Sequence, residues 1–387
     1  VASVGLAPLS LVFFQQVSLV GFVANLLAIP LVTLAIVPLS LLGIALPPLW
    51  ALAAALVQAL VALLQWLAGW PLASWTVAAA PAWGVAAGLA GGALLLMPLP
   101  WRLRLLGLPL LLPLLAPPLP RPPPGSFELV VADVGQGSAV LLRTREHLLV
   151  YDAGPRYTVE SDAGARVLLP LLRARGERRI DLLMLSHRDT DHVGGAESLL
   201  AAVPVAEVSS SLADGHALLR RDLPHRRCAA GQAWTWDGVQ FQVLHPLPGE
   251  PASSARPNAL SCVLRVQGAD GRSVLLTGDI EAAQEAALLQ RDAAALRSQV
   301  LLVPHHGSRT SSTEAFIDAV APGTAVVQAG YRNRFGHPHP DVSARYAAAG
   351  MTVPFGSITI APGWSADIDP LTRKIFSGYL VVLHCVA

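Results

Sequence analysis

The chain has 387 residues, 53% of them hydrophobic, and its 27 basic and 26 acidic side chains leave a net charge of +1. So apolar and nearly neutral a composition excludes an intrinsically disordered chain and a polyelectrolyte that binds by overall charge. Three cysteines, Cys228, Cys262 and Cys385, are too few and scattered for a zinc cluster, and their odd number argues against a disulfide framework.

No Asp, Glu, Lys or Arg occurs between Val1 and Trp101. A spanning helix needs about 20 apolar residues, and each charge at the membrane centre costs about 2.5–3.5 kcal/mol, so a charge-free run of this length predicts a multi-pass α-helical membrane region. The expected spans are Leu9–Ile29, Leu31–Leu46, Trp50–Leu67, Val77–Met97 and a fifth, shorter segment at Leu103–Leu115, punctuated by Pro30, Pro47-Pro48 and Pro71. Trp50, Trp66, Trp70, Trp75 and Trp101 lie near the proposed ends, as interfacial aromatic belts require. A signal peptide does not fit, because it needs one apolar core of roughly 7–15 residues after a charged leader. The first residue is Val and the opening is already apolar, so the chain is expected to be the C-terminal part of a longer product. Asn25, with Gln15, Gln16, Gln58 and Gln65, either glues helices together or lines a path through them.

A proline-rich strip, residues 117–125, then predicts a stiff spacer of polyproline II geometry. Arg102, Arg104 and Arg121 flank it and, taken alone, place this end in the cytoplasm. From Ser126 the pattern alternates strands and helices. Phe127–Val134, Ala139–Arg143, His147–Tyr151, Ile180–Leu185, Val239–Leu244, Cys262–Val266, Ser273–Leu276, Gln299–Val303 and Ala325–Gln328 read as strands. Gly195–Ala202, Glu281–Arg291 and Asp341–Ala349 read as helices, and two such halves predict an αββα sandwich over residues 126–364. Residues 365–387 form a tail whose apolar end, Tyr379–Ala387, receives no assignment.

The densest chemical signal is Ser186-His187-Arg188-Asp189-Thr190-Asp191-His192-Val193-Gly194-Gly195, two imidazoles and two carboxylates on the loop that leaves the apolar strand Ile180–Leu185. Nitrogen and oxygen donors converging on one loop are what a divalent cation requires. Matching residues recur at Thr277-Gly278-Asp279, Pro304-His305-His306-Gly307-Ser308 and Gly336-His337-Pro338-His339-Pro340, so six of the eleven histidines fall in these motifs.

These motifs resemble the metallo-β-lactamase fold and, within it, the ComEC family of inner-membrane DNA-uptake proteins. Ala132-Asp133-Val134-Gly135-Gln136-Gly137-Ser138, Tyr151-Asp152-Ala153-Gly154 and Val20-Gly21-Phe22-Val23-Ala24-Asn25-Leu26-Leu27-Ala28-Ile29-Pro30 carry the same likeness. The resemblance implies natural transformation, with a bacterial plasma-membrane channel for single-stranded DNA and a metal-dependent nuclease acting on the other strand. It implies two divalent ions, Zn or Mn, with His187 and Asp189 on the first, Asp191 and His192 on the second, Asp279 between them and His337 as the last ligand. His305 and His306 supply either a ligand or a group at the scissile phosphate. Asn258 and Ser261 stand where a further His is usual, which gives the first site more oxygen character and favours Mn alongside Zn. Asp133, Gln136, Asn258, Ser308, Arg309 and Arg334 are the expected substrate contacts, with Asp191, His305 and His306 in catalysis. Incoming duplex DNA, membrane lipid, other competence proteins and a homo-oligomer are the implied partners, and the family places the catalytic domain outside the membrane.

Two ions about 3.5–4 Å apart suit phosphodiester hydrolysis. The other readings are hydrolysis of a small ester, thioester or lactam, and a channel whose metal domain only binds DNA. Arginine dominates the basic residues, Lys374 being the only lysine, which suits phosphate contacts but also follows from codon usage alone.

Overall fold

The computed structural model describes residues 2–70, 73–250, 256–351, 357–360 and 380–383. It divides into two compact units, Val1–Leu119 with Arg173–Gly176, and Pro120–Leu172 with Glu177–Ala387.

The first unit contains helices α1 (Ala2–Phe14), α2 (Gly21–Leu42), α3 (Pro48–Ala68), α4 (Ala82–Leu96) and α5 (Gly107–Leu115). Two of them, α2 and α3, are long and apolar enough to cross a membrane, where the sequence predicted up to five spans. The segment expected as one span over Leu9–Ile29 is broken: Gln15 takes a positive φ of 51°, and Gln16–Ser18 pair antiparallel with Ser74–Thr76. Polar side chains at positions 15, 16 and 18 end α1 and start a ribbon instead of a span. Leu31–Leu46 is no separate element, because α2 runs on through Pro30 and a π-helical turn at Val32–Ile36. The segment expected over Val77–Met97 shortens to the 15 residues of α4, and Leu103–Leu115 to the nine of α5. Packing here relies on small residues. Gly84, Gly88, Gly91 and Gly92 are the buried positions of α4, and a Cβ on Gly91 would stand 2.6 Å from the Gly107 carbonyl oxygen of α5.

The second unit is a four-layer αββα sandwich. Its first sheet joins β1 (Glu128–Val131), β2 (Val140–Arg143), β3 (Leu148–Tyr151), β4 (Ile180–Leu185), β5 (Val205–Ser210) and β6 (His225–Arg227), and later β13 (Ser357–Ile360) and β14 (Leu380–Leu383). The second joins β7 (Ala233–Trp236), β8 (Val239–His245), β9 (Val263–Gln267), β10 (Ser273–Leu276), β11 (Val300–Leu302) and β12 (Thr324–Val326). Strand orders are β6-β5-β4-β3-β2-β1-β13-β14 and β7-β8-β9-β10-β11-β12. Both sheets turn from antiparallel to parallel pairing, at β3/β4 and at β10/β11.

The strands read as nearly continuous apolar runs because both faces are covered. Leu129, Val131, Leu142, Leu149, Leu182 and Met184 meet Phe241, Val243, Leu264, Val266, Val274 and Leu276 between the sheets. The alternate residues Val130, Leu141, Val150, Leu183 and Leu185 pack outward on Leu168, Leu172, Ala196 and Leu199. Leu275, Leu301 and Val327 pack on Leu288 of α6 (Ala282–Asp292) and Phe316 and Ile317 of α7 (Glu314–Val320), with Val342 and Tyr346 from α8 (Pro340–Ala348).

Two expectations are corrected here. Cys228 and Cys262 form a disulfide across a separation of 34 residues, with Cα atoms 6.2 Å apart. An odd count said nothing about two cysteines that the fold brings together at the end of β6 and the start of β9. The proline strip, expected to be a stiff spacer that stands apart from the second domain, is pinned to that domain from Pro120 onward: Arg121 pairs with Glu177 at 2.9 Å, and the Gly125 N–H donates to the Asp237 carbonyl at 2.6 Å. Of the tail, residues 380–383 form β14, whereas Lys374, Cys385 and the ends of Tyr379–Ala387 lie outside the described residues.

Candidate metal centre

The site lies in the loops that follow the parallel strands. β4 delivers His187, Asp189, Asp191 and His192; β10 delivers Asp279; β11 delivers His305 and His306. A parallel strand ends with its last peptide groups unpaired, so the chain beyond it can turn side chains inward. The turns are tight: Gly278 has φ +54°, and a Cβ on Gly195 would meet the Ala153 and Gly164 backbones. His305 and His306 both take left-handed conformations, φ 49° and 55°, a strained pair of the kind found where a site dictates the backbone.

Asp191, His192, Asp279 and His306 each point one donor atom inward, and these atoms all lie within 4.8 Å of one another. His192 Nε2 is 3.2 Å from Asp279 Oδ1, and His306 Nε2 is 3.4 Å from Asp191 Oδ2 and 3.5 Å from Asp279 Oδ2. A second group adjoins it through the same carboxylate, with His187 Nε2 3.6 Å from Asp189 Oδ2 and 4.0 Å from Asp279 Oδ2. The Nε2 atoms of His187, His192 and His306 are buried with no hydrogen-bond partner. Three orphaned imidazole nitrogens facing carboxylates are what a divalent cation would satisfy, so the residues present fit such an ion.

The opposite ring nitrogens are held from behind. His192 Nδ1 bonds Asp152 Oδ2 at 2.7 Å, His306 Nδ1 bonds the Gln328 carbonyl at 2.7 Å, and His187 Nδ1 approaches Ser186 Oγ at 3.0 Å and Ser261 Oγ at 3.4 Å. Such backing fixes which nitrogen faces the metal and raises its basicity. Asp152 is fully buried and also accepts from the Ser186 N–H and Oγ–H. Burial alone would push the Asp191 carboxyl up, yet the facing His306 and His192 hold it down to about 2. Burial opposes charge on Asp279 too, and His192 and His306 outweigh it, leaving that carboxyl well below its usual range. Burial opposes charge on His192 and His306, but Asp279, joined by Asp152 at His192 and by Asp191 at His306, overcomes it and raises both imidazoles.

The structure does not place every expected residue in this centre. His306, not His337, completes the four-donor group; the His337 ring lies 6.4 Å from His306 and 5.8 Å from His305, at the rim, where it stacks on Phe335. Proximity in sequence to the last strand could not distinguish them, whereas the His306 contact with Gln328 does. His305 faces Asp279 at 3.8 Å and also reaches Glu281 at 3.4 Å, and burial lowers its pKa. Asn258 Nδ2 lies 3.5 Å from His305 Nε2. Asp133 accepts from the Gly135 N–H within its own turn, Gln136 accepts from the Gly330 N–H, and Ser308 contacts Thr310, so these polar groups shape loops around the centre. Arg309 is exposed, and Arg334 lies over the Phe335 ring. Sequence reasoning missed Asp152, Ser186, Ser261 and Gln328 as supports. The end-of-strand position of Asp152 in Tyr151-Asp152-Ala153-Gly154 was a signal for the first, while Gln328 offered none.

A two-sheet sandwich with paired His and Asp donors on the loops beyond its parallel strands defines a metallo-β-lactamase domain, and the metallo-beta-lactamase superfamily matches residues 132–331. The chain belongs to that superfamily, and ahead of this domain the competence-protein family matches residues 1–102. Competence protein ComA of Neisseria gonorrhoeae is 35% identical over 340 residues, 87% of this chain and 47% of that protein. The uncharacterized protein YcaI of Escherichia coli is 33% identical over 93% of this chain and 48% of its own length. The chain thus spans about half the length of these curated relatives. Among solved structures, Igni18, a metallo hydrolase of Ignicoccus hospitalis, covers 60% of this chain and 98% of its own at 13% identity and a TM-score of 0.41.

Proposed function

We propose that this chain is part of a DNA-uptake protein of the bacterial plasma membrane, in which the first unit contributes helices to a channel for single-stranded DNA and the second hydrolyses phosphodiesters of the strand left outside. The observation that carries the hydrolytic part is the set of three buried imidazole Nε2 atoms without partners that face Asp191, Asp189 and Asp279. Asp191, His192 and His306 would hold one divalent ion, His187 and Asp189 a second, and Asp279 would contact both. Zn or Mn ions would supply Lewis acidity and a nucleophile available at neutral pH. His305 faces the centre without joining the four-donor group, which leaves it to contact the scissile phosphate, and Asn258 orients it. The likeness to Competence protein ComA supports DNA over a small ester, thioester or lactam, and α2 and α3 support attachment to the membrane. Other competence proteins and a second copy of the chain are the expected protein partners.

The test is cleavage of single-stranded and duplex DNA by the full chain in detergent micelles with Mn²⁺, with Zn²⁺ and with EDTA. Metal-dependent cleavage that EDTA removes is the expected result. Turnover of a lactam or thioester with DNA left intact would hand the site to a small-molecule hydrolase, and metal uptake without any hydrolysis would leave a DNA-binding domain.

A further inference from the structure

Beside the rim of the centre runs a loop, residues 330–337, that sets two large apolar rings in solvent. Tyr331 is 89% exposed and Phe335 53% exposed. Neither is needed to fill a core, and both are followed or preceded by arginine: the Arg332 guanidinium lies 5.3 Å from the Tyr331 ring centroid, and that of Arg334 lies 4.8 Å from the Phe335 centroid. The loop is held, not loose. Asn333 Nδ2 donates to the Gly330 and His337 carbonyls at 2.9 and 2.6 Å, and its Oδ1 accepts from the Phe335 and His337 N–H groups at 3.1 and 3.0 Å. Phe335 in turn stacks on His337 with centroids 5.7 Å apart, and His337 stands 6.4 Å from His306 of the metal centre. Phe335 ties the loop to the centre through two ring contacts, and Tyr331 stands exposed beside Arg332 on the same loop; exposed rings with guanidinium groups beside them match how single strands are held, bases on aromatic faces and phosphates on guanidinium groups.

We infer that the Tyr331–Phe335 loop is a single-strand nucleic-acid platform, on which one base stacks on Tyr331, Arg332 and Arg334 hold the flanking phosphates, and Phe335 braces the loop against His337. The inference deepens the nuclease reading by naming how its substrate is presented: a single strand with an unstacked base, not the face of a duplex. It rests on that reading for the substrate class only. A duplex keeps its bases stacked on one another and offers Tyr331 nothing, so the platform selects ends, gaps and melted strands.

The experiment measures binding of labelled oligo-dT and of an abasic oligonucleotide of equal length to the full chain in micelles, without metal. The parent is expected to prefer oligo-dT. Tyr331→Ala should weaken oligo-dT by about 10-fold and leave the abasic strand unchanged, and Tyr331→Trp should restore the preference. Arg332→Ala with Arg334→Ala should weaken both strands and flatten the slope of log affinity against log salt by about one to two units. Equal binding of the two strands by the parent, or a Tyr331→Ala variant indistinguishable from it, overturns the platform. So does a Tyr331→Ala variant that keeps its DNA affinity and falls apart from dimer to monomer, since a second copy then covers the loop. The same preparations are assayed for cleavage with Mn²⁺: base-dependent binding without cleavage removes the nuclease reading and keeps the platform, and cleavage without base-dependent binding does the reverse.

Discussion

The two units solve burial in opposite ways. In the first, the buried positions of α4 are glycines, while Leu26, Leu34 and Ile44 are 74, 77 and 74% exposed. In the second, large aliphatic residues such as Leu149, Leu183 and Leu264 are fully buried, and so are Asp152 and His192. In the proposed membrane setting, apolar side chains would gain nothing from leaving an apolar solvent, which fits close backbone contact at these glycines and the many large residues left outside, Leu11, Leu67 and Leu114 excepted. Water drives the large residues of the second unit inward, and that dry interior is what strengthens the interactions of the few ionisable groups it encloses.

The sharpest way to break the comparison is to remove charge from the enclosed centre. Asp279→Ala leaves His192 and His306 facing one carboxylate fewer, and metal-dependent cleavage should fall by at least about 10³-fold with metal content near zero, while the thermal transition persists. A variant that still binds metal and cuts DNA would remove Asp279 from the centre. His306→Ala should lose bound metal, measured by elemental analysis, whereas His305→Ala should keep it and turn over more slowly, by about 10²–10⁴-fold. Reversed metal contents would exchange the two residues.

Covalent closure sharpens the contrast from the other side, because the second unit alone carries a disulfide among the described residues. Cys228→Ser with Cys262→Ser opens a 34-residue loop and should cost about 3–4 kcal/mol, read as a lower unfolding midpoint; reduction of the parent should give the same shift. In the first unit, Gly91→Leu must displace the Gly107 carbonyl and should destabilise the α4–α5 pair by about 1–3 kcal/mol without altering metal content. The smallest effect concerns Asp237, which accepts from Thr144 Oγ1, the Glu146 N–H and His147 Nδ1. Burial would raise its carboxyl, yet those bonds hold it down to about 2. A folded-state pKa below the unfolded value stabilises above that unfolded value and is lost as pH falls through the folded one. Asp237→Asn should therefore cost roughly 1 kcal/mol at pH 7, with the difference shrinking below the usual carboxylate range and vanishing only as pH falls through about 2, a convergence that acid titration of both proteins would check.

Much of the second unit was legible because its signals are local. His187, Asp189, Asp191 and His192 stand on one loop after one apolar strand, and the strand β4 at Ile180–Leu185 has the ends expected of it. What spacing could not give were pairings made across the fold: the place of His306 beside Asp191, His192 and Asp279, the joining of Cys228 to Cys262, and the support of His192 by Asp152. The first unit misled for another reason. Hydropathy measures what a segment could cross, not where its backbone turns, so Gln15 to Ser18 vanished into a run that the structure breaks there.

Gln328 gives the molecule an order of assembly. Its carbonyl holds His306, while its Nε2 donates to the Ala132 and Ala139 carbonyls, 196 and 189 residues earlier in the chain. Joining positions so distant requires closing nearly the whole domain first, an entropic cost that grows with the logarithm of the loop and slows folding. A chain still emerging from the ribosome therefore holds its metal-loop carboxylates but cannot yet orient His306. The candidate metal centre becomes complete only when Gln328 has docked on the carbonyls of Ala132 and Ala139, between β1 and β2.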